Sequence, residues 1–386
     1  MKTKYFASLA ATTLFSIFNF QFSAFSQGSL TPPGPPAPTM VTLSQVAPRT
    51  PINTLPSDSQ DLYVISQPGS YYLTANITVA SGNAISITTN GVTLDLNGFT
   101  ISSTGSDGTA IWLNLYNSFS SIGNSDITIS NGHITGGVTY NAGTYSGNGF
   151  LNGISYFEQM PRNVRVTGVS VSGCSNYGIY LGTGNSTLVE SCTVNTVGGS
   201  GIEASTVSHS TAYQCGYTAI VADTASDCYG YSTGGDGLDA NYTTDNCYGE
   251  SADTSFGSYG IYVGIGNANN CYGYSNGGTG LNAATSAFNC LGLSNGNGIG
   301  LDAVNSADNC YGQSNGSGDG LDAENANNCC GSSYSGDGIN ADISVGCLGA
   351  SMSGIGLSGY IANSCLGYTV PSETESESVT YKYNMP

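Results

Sequence analysis

Apolar and polar positions alternate along this chain in short bursts and never settle into helical spacing. From residue 62 onward, stretches such as ITTNGVTLDLNGFTIS put an apolar side chain at every second position and Asn-Gly at the corners. That pattern predicts short strands joined by tight turns. One phrase, Gly/Ala–Ile/Leu–x–small, then repeats along the chain. Its Ile or Leu falls at Ile85, Ile111, Ile154, Ile179, Ile202, Ile220, Leu238, Ile261, Leu281, Leu301, Leu321, Ile339 and Leu357, and the later steps are 18 to 23 residues. Eight to ten residues after the later marks stands a Cys: Cys228, Cys247, Cys271, Cys290, Cys310, Cys329, Cys347 and Cys365, with Ser210 in that place one coil earlier. Self-similarity at this period defines a solenoid. Helical solenoids need longer repeats with 3.6-residue periodicity, so each unit here predicts one coil of an all-β, single-stranded parallel β-helix of roughly 13 coils.

Three segments, GVTLDLNGFTIS, SDITISNGHITGG and RNVRVTGVSVSGCSNYGIYLG, resemble coils of right-handed parallel β-helix proteins of the pectin-lyase-like superfold. The stretch GSLTPPGPPAPTMVTLSQVAPRTPI, followed by ISQPGSYYLTANIT, is similar to a group of secreted bacterial β-helix proteins. The resemblance covers roughly residues 62–368 and implies right-handed winding for a β-helix domain of residues 62–369. It does not imply an activity, because this fold hosts lyases, hydrolases, adhesins and scaffolds.

Composition narrows the picture. The 386 residues include 55 Gly, only 8% are charged, and the formal net charge is −19. Residues 1–26 combine two lysines, an apolar run and Ala24-Phe25-Ser26 before Gln27, which predicts a secretory signal peptide and a secreted or cell-surface protein. No other stretch approaches the length of a transmembrane helix. Residues 27–61 are proline-rich and predict a linker or strap; residues 370–386, with SETESES, predict an acidic tail. Beyond the leader the basic side chains are Arg49, Arg162, Arg165 and Lys382. Nucleic-acid binding depends on cationic neutralisation of phosphate, so that class is excluded.

The recurring Cys occupies a place where earlier coils carry Ile129 or Val166, so its simplest role is small core filler. Alternation puts Ala307, Cys310, Gly312 and Ser314 inward and Tyr311 outward. Disulfides between stacked coils are chemically permitted in an oxidising compartment. The spacing lacks the tight pairs of a zinc site.

The Asp of Gly-Leu-Asp-Ala faces out. Stacking the coils predicts one outward column: Trp112, Ser155, Tyr180, Glu203, Val221, Asp239, Tyr262, Asn282, Asp302, Asp322, Asn340 and Ser358. If the protein is an enzyme, Asp239, Asp302 and Asp322 are the candidate catalytic residues, acting as lyase or inverting glycosidase on polysaccharide. Lyase chemistry of this superfold needs a basic residue, and no Lys or Arg follows Arg165 until Lys382; the histidines are His133 and His209. Asp302 and Asp322 are also the candidates for a Ca²⁺ site; no other cofactor or metal is indicated. The step from Ile111 to Ile154 implies an inserted loop near residues 136–152 that would wall a groove. Candidate binding residues are therefore Trp112, Tyr156, Glu158, Arg162, Arg165 and Tyr180, with Glu203 and Tyr262 farther along the column. The sequence reading is a non-catalytic structural or adhesive module that binds polysaccharide or a cell-surface glycan, with a polysaccharide-acting enzyme as the alternative.

Overall fold

The computed structural model describes residues 48–114, 123–156, 158–370 and 374–385. The leader lies outside the described residues, as does most of the proline-rich segment. Arg49–Pro386 forms one unit, and it is an all-β parallel solenoid of about 16 turns. Among the described residues no helix is long and apolar enough to cross a membrane.

Three parallel ladders run the length of the solenoid. Ladder A begins with Asp61–Ile65, Asn83–Ile87 and Thr109–Leu113 and continues through the front halves of later strands such as Leu301–Asp308. Ladder B begins with Gly69–Tyr72 and Val92–Asp95 and takes up the rear halves of those later strands. Ladder C runs from Ile77–Val79 to Leu366–Thr369.

The predicted Ile/Leu marks stack directly upon one another from Ile85 to Leu357. The solenoid has more coils than the marks reveal. Tyr63 pairs with Ile85 one coil earlier, Glu377 pairs with Leu357 one coil later, and Thr50–Pro51 adds a partial coil on Tyr71–Tyr72. Neither Tyr63 nor Glu377 is the aliphatic residue that identifies a coil in sequence.

The corner between ladders B and C explains the Asn-Cys pairs. Asn270, Asn289, Asn309 and Asn328 have φ of 52°, 53°, 55° and 51°, the left-handed region that asparagine tolerates better than most side chains. The residue after each corner turns inward. Cys310 is 3% exposed, as is Cys290. All twelve cysteines are free, and only Cys330 is exposed. Each column thiol donates to a carbonyl two residues back, as Cys271 Sγ does to Asn269 O at 3.1 Å; those of Cys271, Cys290, Cys310, Cys329 and Cys365 also accept an N–H from the coil before, as Cys310 Sγ does from Cys290 N at 3.5 Å. The same column includes Cys192, whose N–H donates to Ser210 Oγ at 3.1 Å. Burial pushes the Cys192 thiol up to about 11 and that of Cys174, elsewhere in the core, up to about 12. These are protonated packing groups.

Ladder C packs against the start of ladder A through glycine. A Cβ on Gly312 would stand 2.0 Å from the Gly320 carbonyl oxygen, so no side chain fits there. Beside it a buried serine column satisfies the turn: Ser314 Oγ donates to Gly298 O at 2.8 Å and Ser333 Oγ to Gly318 O at 2.7 Å. The last coil closes the core with charge. Glu377 and Lys382 take the places of Leu357 and Ala362 and pair at 2.7 Å, with the Glu377 side chain 5% exposed. An ion pair at inward positions blunts an open sheet edge.

Candidate functional site

Ladder A carries the predicted outward column, and every pairing from Trp112 to Ser358 is in the expected register. Two regions of this ladder form concavities.

The first is a cavity of about 520 Å³ lined by Asn83, Asp107, Trp112, Asn152, Ser155 and Tyr156, among others. Asp107 is its one charged lining residue. The amides are fixed in orientation. Asn83 Nδ2 donates to Asp61 Oδ1 at 2.7 Å while its Oδ1 accepts the Thr109 N–H at 2.7 Å. Asn152 Oδ1 accepts the Tyr177 N–H at 3.3 Å, and its Nδ2 donates to Thr109 Oγ1 at 3.4 Å. Asp61, behind Asn83, is raised by burial against the hydrogen bond from that amide. At the rim, Tyr156 stacks on Tyr180 with ring centres 5.0 Å apart and planes 9° apart, and Tyr177 stacks on the same ring at 4.5 Å. Tyr156 donates to the Tyr180 hydroxyl at 3.3 Å.

The predicted wall is partly displaced. The insertion is a β-hairpin, Thr139–Asn141 with Thr144–Ser146, but its tip turns toward ladder C: Tyr145 bonds Thr233 at 2.9 Å, and burial raises its phenol. Only the trailing residues Leu151 and Asn152 reach the cavity. Arg162 and Arg165 are separated from it because both lie on ladder B; Arg165 pairs with Glu190 at 3.5 Å. Glu158 is exposed in the preceding turn at φ 55°. Trp112, Tyr156 and Tyr180 are therefore brought together, and the charged candidates are not.

The second concavity, about 370 Å³, is lined by Asp302, Asp322, Glu324, Asn340 and Asp342, among others. Asp302 accepts from Asn282 at 2.7 Å and Asp322 from Asn340 at 3.3 Å. Burial raises Asp302. Burial, with the charges of Asp302 and Asp319, pushes Asp322 up to about 6. Asp239 lies three coils from Asp302, separated by Tyr262 and Asn282, so the three candidate catalytic aspartates do not converge. Burial raises Asp239, and burial with the Asp239 charge raises Glu203. Tyr262 packs on Tyr259 at 4.9 Å. Among the described residues no group of three His, Cys, Asp or Glu side chains is placed to hold a metal ion.

Sequence reasoning missed Asn83, Asp107 and Asn152, which belong to coils without a strict repeat. It also missed Asp236, which burial pushes up to about 6 although it accepts the Tyr259 N–H at 2.7 Å. Asp319 does the same for the Asp337 N–H, at 2.7 Å. These aspartates cap turns of the next coil. Comparison with protein families, with curated proteins and with solved structures finds no match to this chain.

Proposed function

We propose that the chain is a non-catalytic recognition module of an exported, right-handed β-helix protein, binding a neutral polysaccharide in the Trp112 cavity. The observation that carries this reading is the lining itself: an indole and a phenol beside amides already locked in orientation, with a single carboxylate. Apolar rings with a few fixed polar groups suit a ligand that is hydroxyl-bearing on its edges and apolar on its faces. Its volume lies in the range typical of ligand pockets. Export, expected from the leader, would bring such a site to extracellular glycans.

The enzymatic alternative rests on Asp302 and Asp322, where a raised carboxyl neighbours another carboxylate. Their coils are adjacent, one strand spacing of about 4.8 Å apart, whereas an inverting pair stands roughly 6.5–9.5 Å apart. That weighs against the inverting mechanism. A lyase would need a base beside that pair; residues 166–381 contain no Lys or Arg, and His209, the histidine there, sits beside Asp227 several coils away.

The test is a polysaccharide panel in which binding and the release of reducing or unsaturated ends are followed together. Binding to a neutral polymer without product release is expected; product release would overturn the non-catalytic reading.

A further inference from the structure

Over six coils the strand face of ladder C carries no charge, although the chain's net charge is −19; Glu250 stands one coil before it. On ladder C, Tyr272, Leu291, Tyr311, Cys330, Leu348 and Leu366 stack in register and point outward. The companion column, from Tyr274 to Tyr368, contains no Asp, Glu, Lys or Arg either. Tyr311 and Leu348 are each 38% exposed and Leu366 36%; Tyr334 and Met352, on the adjoining turns, reach 56% and 47%. In the same coils most carboxylates lie on the ladder A side, around Asp302, Asp322 and Glu324, with Asp308 at the end of ladder B. An exposed apolar strip of this extent marks an interaction surface.

We propose that this face is where two copies of the chain pair, by an isologous two-fold contact. This goes beyond the glycan reading and does not rest on it. Charge selects the occupant. A second copy brings equally uncharged strand columns and turns both acidic faces outward, away from each other, which a partner of either net charge would not do. Geometry agrees. Both faces repeat at the same strand spacing of about 4.8 Å, so their side-chain columns interdigitate over every coil. Six coils give a length of about 29 Å. With its two flanking corners, whose ladder A side carries Asp319 and Asp337, the face is about 25 Å across, or roughly 700 Å² per copy, close to the ~800 Å² per partner of a standard interface. The ion-paired Glu377–Lys382 cap opposes end-to-end stacking, which leaves pairing through the face.

Sedimentation velocity of the purified protein across the micromolar range tests this directly. The wild type is expected to reach twice the monomer mass. Leu348→Glu and Tyr311→Glu should each weaken association about 100-fold or more, as central contact residues do. Val304→Glu, at a more exposed apolar position (51%) on another face, should leave it unchanged. Because Cys330 is the exposed cysteine, its labelling by a maleimide should be slower in the dimer than in Leu348→Glu. Circular dichroism confirms that each variant is folded. A monomer at all concentrations, or a dimer broken by Val304→Glu but not by Leu348→Glu, would overturn the proposal.

Discussion

The coils around Ile129 and those around Cys310 meet the same packing requirement with opposite means. In the first, Ile85, Leu94, Ile129, Ile134 and Val171 fill the interior with branched aliphatics, all 0% exposed. In the second, the inward places hold Ala303, Ala307, Cys310, Gly312 and Ser314, so backbone meets backbone across the core. The aliphatic coils vary in length, carry the hairpin insertion and form the Trp112 cavity. The small-residue coils are nearly identical to one another and lay down ladders of equivalent side chains. Close packing by glycine leaves room only for small irregularities, such as the bulge between Ala303 and Ser306, whereas a wider aliphatic interior leaves room for loops to diverge. The irregular coils are thus where a specific pocket can be built.

The largest effects should come from breaking each kind of core in its own way. Gly312→Val forces a side chain against the Gly320 carbonyl and should cost about 3 kcal/mol or more. Ile129→Ala leaves a cavity and should cost about 2–5 kcal/mol. Each coil touches only its neighbours, so hydrogen exchange should show the lost protection centred on the mutated coils. Uniform loss along the whole solenoid would contradict the local account.

A smaller effect is expected at the corners. Asn309→Ala places a Cβ-bearing residue without asparagine's local hydrogen bonding at φ 55°, which should lower stability by about 1 kcal/mol. Asn309→Gly should restore most of it. Chemical denaturation of the two variants distinguishes this from loss of the side chain alone.

A further effect is a pH dependence from the coils that carry Asp236 and Asp322. Asp236 and Asp322 titrate near 6 in the folded chain against 3.8 for an unperturbed Asp. Between those values the folded state holds more protons than the unfolded state, so stability rises as pH falls through about 6 toward 4. Thermal unfolding should show Tm increasing by about 2–4 °C over that window, and Asp236→Asn with Asp322→Asn should flatten the slope. A Tm that falls steadily from pH 7 to 5 would contradict it.

Most of the ladder A column could be read from the chain because the Ile/Leu mark fixes register, and register fixes facing. The inward Cys and outward Tyr311 followed from the same alternation. Where the mark is absent, the reading stops short. Tyr63 and Glu377 replace it in the end coils, so those coils went uncounted, and Cys192 follows an irregular coil that hid its place in the thiol column. The hairpin's direction depends on Tyr145 meeting Thr233, 88 residues away, a contact no local pattern encodes. The cavity amides were invisible for a related reason: Asn83 and Asn152 act through partners on other coils.

The central claim is that recognition belongs to the irregular coils and that the acidic ladder of the regular coils is structural. Polysaccharide binding by Trp112→Ala, compared with the Asp302→Asn/Asp322→Asn double variant, tests it most directly. The account predicts at least a tenfold loss of affinity for Trp112→Ala and unchanged binding, without turnover, for the double variant. Full binding by Trp112→Ala, or an activity that vanishes in the double variant, would contradict it.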